Sequence, residues 1–429
     1  MDGMTVLERL RELPAGSVLL ELACGRADVE LVGGAVRDLL LDRSPRELDV
    51  VVDGAADAFA ARIAAIVDCR FAAEDASRSA IERHERFGTA SVAWKRGRVD
   101  VAARRSESYA APGALPDVRA GTPAEDLQRR DFTINTLSVG LGGRRRGQLD
   151  GVDGAREDLA AGLLRVLHDE SFRDDPTRLM RMARYRARLR FTIEPHTAEL
   201  AAVAIADGAL ETISPARIGA ELRLALAEPD PVAALESLAQ LGVLTALHQS
   251  LTLDASIARA ALDALPVADE ASADVLLLAA LLLPADGYDS SSYETRLRVL
   301  LDRYEFPAAE RERAVHSTIL APRIAQRLQR AQKPSEIYDV AHGEPLEAIA
   351  LAAALAEADG SAAAAGVARR WLDELRLVEL EIDGNDLLAT GIAAGPEVGR
   401  RLRVALMRRL DGELESGREA ELSAALETA

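Results

Sequence analysis

Residues Leu31–Gly54, reading LVGGAVRDLLLDRSPRELDVVVDG, restrict what this 429-residue chain can fold into more than any other stretch. Gly33 and Gly34 are adjacent glycines, a backbone free to take unusual angles and to approach an anion closely. The short segment they open, through Arg37 and Asp38, predicts a helix whose free N–H groups and positive dipole end suit a phosphate. Ten residues past Arg37 comes Glu47, then one apolar residue, then Asp49 and the run Val50-Val51-Val52. A β-branched run predicts a strand, where residues i and i+2 face the same way, so Glu47 and Asp49 are expected side by side. Two carboxylates that close repel each other, and a divalent cation is the usual remedy. A phosphate seat beside a metal seat is the minimum equipment for nucleotidyl transfer.

A third carboxylate belongs to the same pattern. Asp100 lies in Arg98-Val99-Asp100-Val101, another short strand motif. Paired beside the first strand, it brings three carboxylates onto one surface, as a two-metal site requires.

Composition narrows the classes. Alanine, leucine and arginine dominate, aromatics are 3% and lysine occurs only at Lys95 and Lys333, which favours helix. Cys24 and Cys69 fall in no metal spacing and suggest no disulfide framework, as in a cytoplasmic protein. No signal peptide is apparent, and the longest apolar run, Val275–Leu283, is about half a membrane span, so a buried helix and no membrane partner are expected. The net charge of −18 argues against indiscriminate nucleic-acid binding. A local basic groove is still available: Pro176–Arg190 holds arginines 178, 181, 184, 186, 188 and 190 and no acid.

Along the chain, residues 1–25 read as an amphipathic helix and lead-in. Asp49–Val52, Thr89–Trp94, Val99–Ala102 and Leu137–Leu141 read as strands, Asp57–Ile66 and Pro123–Asn135 as helices. The second helix is entered through a capping box of Thr122 and Glu125. Beyond about residue 160 nearly everything reads as helix. The fold class expected is α+β: a small α/β head with a mixed sheet, followed by a long all-α body. His168-Asp169 lacks the companion spacing of a metal phosphohydrolase, and His84–Thr89 reads as packing beside the active-site strands.

The ordered set GGAVRD, ELD, EDLQRRDFTIN (Glu125–Asn135) and DDPTRLMRMARY (Asp174–Tyr185) resembles the class II tRNA nucleotidyltransferase and bacterial poly(A) polymerase family. ISPARIGAEL (Ile213–Leu222) and the segment Glu381–Leu402 extend the likeness over nearly the whole chain. The resemblance implies a nucleotidyltransferase head (1–160), then helical neck (161–230), body (231–365) and tail (366–429). It implies addition of CMP and AMP, from CTP and ATP with Mg2+, to the 3′ acceptor end of tRNA. By matching position, Glu47 and Asp49 hold the metal, and Gly34, Arg37 and Arg130 contact the nucleotide; the strand pattern adds Asp100 as an assisting carboxylate. Asp175, Arg178, Arg181 and Arg184 match the helix that holds the incoming base and phosphates. The segment Arg105–Gly121 corresponds to a mobile loop that helps switch from C to A addition.

Asp175 and Arg178 also have a rationale of their own. At spacing i, i+3 they are expected on one helix face, the carboxylate accepting and the guanidinium donating. Cytosine and adenine each present an amine donor beside a ring-nitrogen acceptor; uracil and guanine present the opposite. Such a pair chooses C and A without a template, each good contact discriminating by roughly 1–3 kcal/mol. Three readings stay open within the likeness: CCA addition, A addition alone or poly(A) synthesis, and a weakly catalytic RNA-binding relative, prompted by Glu47 where the family usually has Asp. The wording of Pro112–Pro116 and Arg165–Arg178 resembles members that include A-adding specialists.

Overall fold

The segments expected as strands join one mixed sheet in the first half of the chain. The computed structural model describes residues 2–71, 79–84, 88–268, 270–284, 290–415 and 417–427, so Glu85–Phe87 of the His84–Thr89 stretch lie outside it. Two compact units are present, Met1–Ile213 and Ser214–Ala429.

The first unit opens with two helices, α1 (Gly3–Glu12) and α2 (Pro14–Leu22), rather than one. Leu13 precedes a proline, is pushed to an extended conformation and breaks the helix, while Pro14 starts the next. Then follow β1 (Glu30–Val32), α3 (Gly34–Leu40), β2 (Leu48–Val52), α4 (Ala56–Phe71), β3 (Ala80–His84), β4 (Thr89–Trp94) and β5 (Gly97–Ala103). A ribbon of β6 (Arg105–Ser108) and β7 (Asp117–Ala120) precedes α5 (Pro123–Gln128), β8 (Ser138–Gly140) and β9 (Leu149–Asp150). Helices α6 (Ala155–Ala161), α7 (Ser171–Asp174) and α8 (Thr177–Leu189) come last among the elements that bear on the site.

The sheet order among the described residues is β3-β4-β5-β2-β1-β8-β9. β2 and β5 run parallel, and the other neighbours in this sheet run antiparallel. Val50, Val52, Val99, Val101, Ala90 and Val92 are fully buried, and α4 packs on β4 and β5 with Phe59, Ile63 and Val67 buried. Strand alternation sends the intervening residues to the opposite face. There the register lines up Glu82, Ser91, Asp100 and Asp49 in one row across four strands.

Three further local expectations change. The helix expected over Pro123–Asn135 ends at Gln128, although its capping box of Thr122 and Glu125 forms as expected. Arg129 and Arg130 fold back onto Asp126, Phe132 is extended, and only a single 3-10 turn, Thr133–Asn135, follows. The expected loop Arg105–Gly121 is an antiparallel ribbon whose tip is tied down by the Gly113 N–H donating to the Arg173 carbonyl, 3.2 Å. Its strands carry no alternation of apolar residues to announce them. Asp175 and Arg178, finally, do not share a helix. Asp175 is extended (φ −136°, ψ 92°) because Pro176 follows it, and α8 begins only at Thr177.

The second unit is helical among its described residues. The apolar run Val275–Leu283 noted in the sequence falls largely in the helix Ala273–Leu281, whose residues Val275–Leu281 are buried, and Leu346–Ala358 packs on Ala308–Leu328 and Ala255–Ala264. A separate small core of Ile382, Leu387, Ala405 and Ala425 joins the last three helices. Among the described residues no helix is long and apolar enough to cross a membrane.

Candidate active site

The three carboxylates converge. Asp49 and Asp100 are direct partners across the parallel β2/β5 pair, and Glu47 stands just before β2. One oxygen from each of Glu47, Asp49 and Asp100 lies within 4.8 Å of the others. An all-oxygen donor set of this size suits a hard divalent cation such as magnesium, with water completing the coordination. Burial, together with the charges of Glu47 and Asp100, raises the Asp49 carboxyl to about 7 against the opposing pull of Arg130 and Arg181. That is the electrostatic signature of a site short of positive charge.

Beside the carboxylates lies a cavity of about 370 Å³ lined by Asp49, Asp100, Ser91, Arg98, Arg105, Arg129 and Arg130 among others. Arg130 donates to Asp126 (3.1 Å) and, more weakly, to the Asn135 carbonyl (3.4 Å). Arg129 bonds Asp126 and Glu107, and Glu107 also accepts from Arg105 and Tyr109. The ribbon is thus fastened to the RRD segment through one buried carboxylate.

The glycine pair divides its labour. Gly33, φ +67°, precedes α3, and a Cβ there would stand 2.7 Å from Arg130 Nη1. Gly34 begins α3, and its Cβ would make ordinary contact, 3.6 Å, with Arg37 Nη2. Gly33→Ala is therefore expected to destabilise the first unit by about 1–3 kcal/mol, and Gly34→Ala by clearly less. Denaturant unfolding of both variants checks this, and equal losses would refute the division.

Arg37 is buried rather than displayed. It donates to Asp38 (2.8 Å) and to Asn135 Oδ1 (2.6 Å), and packs over the ring of Tyr185. On α8, Arg178 is also buried; its Nη1 donates to Ser171 Oγ (2.5 Å) and its Nη2 to the Arg129 carbonyl (2.9 Å). Asp175 Oδ1 accepts from the N–H and hydroxyl of Thr177, which fixes it at the mouth of α8. Arg181 forms a two-nitrogen ion pair with Asp131 (2.9 and 2.7 Å) and reaches the Tyr185 hydroxyl, while Arg184 is buried. Glu47, Asp49, Asp100 and Arg130 therefore form one group, and Arg178 joins it through Arg129. Sequence reasoning missed Arg98, Arg129, Asp126 and Asp131. Three of these stand in or beside the quoted motif EDLQRRDFTIN, where only Arg130 had been singled out.

A mixed sheet that presents three carboxylates to an arginine-lined cavity defines a nucleotidyltransferase-type head. Residues 29–165 match the family described as "Poly A polymerase head domain", and residues 190–253 match "Probable RNA and SrmB- binding site of polymerase A". The chain is 34% identical over 396 residues to the CC-adding tRNA nucleotidyltransferase of Deinococcus radiodurans, covering 91% of this chain and 87% of that protein. It is also 34% identical over 425 residues to the A-adding tRNA nucleotidyltransferase of Geobacter sulfurreducens, covering 94% of this chain and 46% of that one. The chain thus spans about half the length of that relative. Among solved structures, the Thermotoga maritima CCA-adding enzyme complexed with tRNA is similar at a TM-score of 0.74 and 27% identity, over 99% of this chain and 98% of that one. The chain belongs to the tRNA nucleotidyltransferase and poly(A) polymerase family.

Proposed function

We propose that this chain adds CMP and AMP from CTP and ATP to the 3′ end of tRNA without a nucleic-acid template. The observation that carries the reading is the meeting of Glu47, Asp49 and Asp100 at the wall of a cavity that Arg129 and Arg130 also line. Glu47 and Asp49, with Asp100 assisting, hold the metal. Bound Mg2+ supplies activation of the attacking 3′-hydroxyl and neutralisation of charge on the triphosphate and the departing pyrophosphate.

The remaining work falls to the chain. Arg130 and the backbone at Gly33 and Gly34 seat the triphosphate, and Arg37, held by Asp38 and Asn135, braces that seat from beneath. Asp175 accepts from the exocyclic amine of C or A, and Arg178 donates to the neighbouring ring nitrogen. Both are held by contacts outside the base: Thr177 anchors Asp175, and Ser171 with the Arg129 carbonyl anchors Arg178. Arg181 and Arg184 complete the positive wall behind the nucleotide. The chain divides into head (1–160), neck (161–230), body (231–365) and tail (366–429), a reading that the separate core around Leu387 and Ala405 supports at the C-terminal end. A cytoplasmic site of action follows from the substrates.

The deciding assay uses the purified chain, Mg2+, labelled CTP or ATP, and tRNAs ending in the discriminator base, in C or in CC. Incorporation of both nucleotides in the order C, C, A is expected, and chelation with EDTA abolishes it. Incorporation of ATP alone on tRNA ending in CC assigns the A-adding reading, which the Geobacter relative favours. No label with either nucleotide on any of these tRNAs ends the proposal.

A further inference from the structure

Arg98 lies within the carboxylate group. It stands two residues before Asp100 on β5, so strand alternation turns it to the same sheet face. Its Nε lies 3.0 and 3.3 Å from the two oxygens of Asp100 and 3.9 Å from Glu47 Oε2, and its Nη2 donates to Ser91 Oγ at 3.2 Å. About half of its side chain is exposed. The partners that fix its position are two of the three proposed metal ligands and one hydroxyl.

A guanidinium and a divalent cation ask the same thing of Asp100: its oxygen lone pairs and its negative charge. They cannot share it without bringing two positive charges together. We propose that Arg98 is a resident counter-cation that competes with the metal for Asp100 and Glu47, so that Asp100 enters the metal site only when Arg98 withdraws. This rests on the metal-site reading given above. Arg98 is accordingly a positioning residue: it decides how readily the third carboxylate becomes a ligand. The long arm of Glu47 contributes, since from its place just before β2 its carboxylate comes within 3.9 Å of Arg98.

The test is Mn2+ binding to the full chain without nucleotide, followed by electron paramagnetic resonance, for the wild type, Arg98→Gln, Arg98→Lys and Asp49→Asn. Arg98→Gln is expected to tighten Mn2+ binding roughly fivefold, whereas Arg98→Lys, which keeps the charge, stays near the wild type. In EDTA, Arg98→Gln should unfold at a lower temperature than the wild type yet gain more from added Mn2+, a pair of shifts that a purely structural role does not produce. Unchanged Mn2+ affinity in Arg98→Gln, with binding lost in Asp49→Asn, overturns the role of Arg98 and leaves the metal site standing. Absence of Mn2+ binding in both the wild type and Arg98→Gln overturns the metal site itself, and this inference with it.

Discussion

Asp49→Ala is expected to lower nucleotide incorporation by on the order of a thousandfold or more, because it removes the central ligand of the carboxylate group. Asp49 is the least replaceable of the three: it sits within β2, opposite Asp100, whereas Glu47 stands before the strand and is half-exposed. The measurement is labelled AMP or CMP transfer at saturating Mg2+, and activity within tenfold of the wild type would sink the assignment. The same substitution should not harm the fold. Asp49 is held against Glu47 and Asp100 with its carboxyl raised from 3.8 to about 7. A group whose folded pKa is raised stabilises the protein most below its unfolded value and loses that contribution as pH rises through the folded value. The metal-free wild type therefore loses stability between about pH 4 and pH 7, and Asp49→Ala is expected to remove that slope. Thermal unfolding in EDTA across this window reads it.

Asp131→Asn should have the largest effect on stability. Asp131 is buried, accepts from the Phe132 N–H and Asn135 Nδ2 through one oxygen, and takes both nitrogens of Arg181 on the other. Burial pushes this carboxyl up, but the Arg181 charge, the bonds from Asn135 and Arg181, and the Arg178 charge outweigh it and bring it to about 2. Breaking a buried ion pair costs about 3–5 kcal/mol, and the exposed third of Arg181 trims this to roughly 2–3 kcal/mol. The sign with pH is opposite to that of Asp49. A depressed carboxylate contributes fully above its unfolded value and loses its contribution as pH falls, here from 3.8 to about 2. Urea unfolding at pH 7 and pH 3 should show the gap between wild type and Asp131→Asn narrowing in acid; a constant gap would contradict the pairing.

The parts of this site that could be read from the sequence were those set by a short repeat. Glu47 and Asp49 share a face because the strand period is two, and the valines that follow announce the strand. Asp100 was placed beside them by the same reasoning, and the register does set it opposite Asp49. Arg98 obeys the same alternation and was overlooked, although the i, i+2 rule that placed Glu47 with Asp49 places it with Asp100. What could not be read depends on competition between local rules. Spacing i, i+3 put Asp175 and Arg178 on one helix, but the proline between them forces Asp175 out of it. The pattern from Pro123 to Asn135 favoured a continuous helix, but the chain leaves it after Gln128, where long-range ion pairs tie Arg129 to Glu107 and Asp131 to Arg181. The ribbon at Arg105–Ala120 gave no signal, since its strands, with Val118 and Ala120 their apolar residues, show no sustained alternation and are held by Glu107 and Gly113 instead.

The turn between β4 and β5 has a consequence for how such a chain can change by descent. Trp94 pairs with Gly97, so only Lys95 and Arg96 separate the strands, and that length sets which residues of β5 face the cavity. Point substitutions within this stretch alter one side chain at a time. A single codon gained or lost within β5 before Asp100 shifts the phase by one, turning Asp100 into the apolar layer beneath and Val99 or Val101 into the cavity. Length in this part of the chain is therefore constrained as strictly as chemistry, whereas the ribbon tip, pinned at Gly113 to the Arg173 carbonyl, lies beyond the paired strands and carries no such phase.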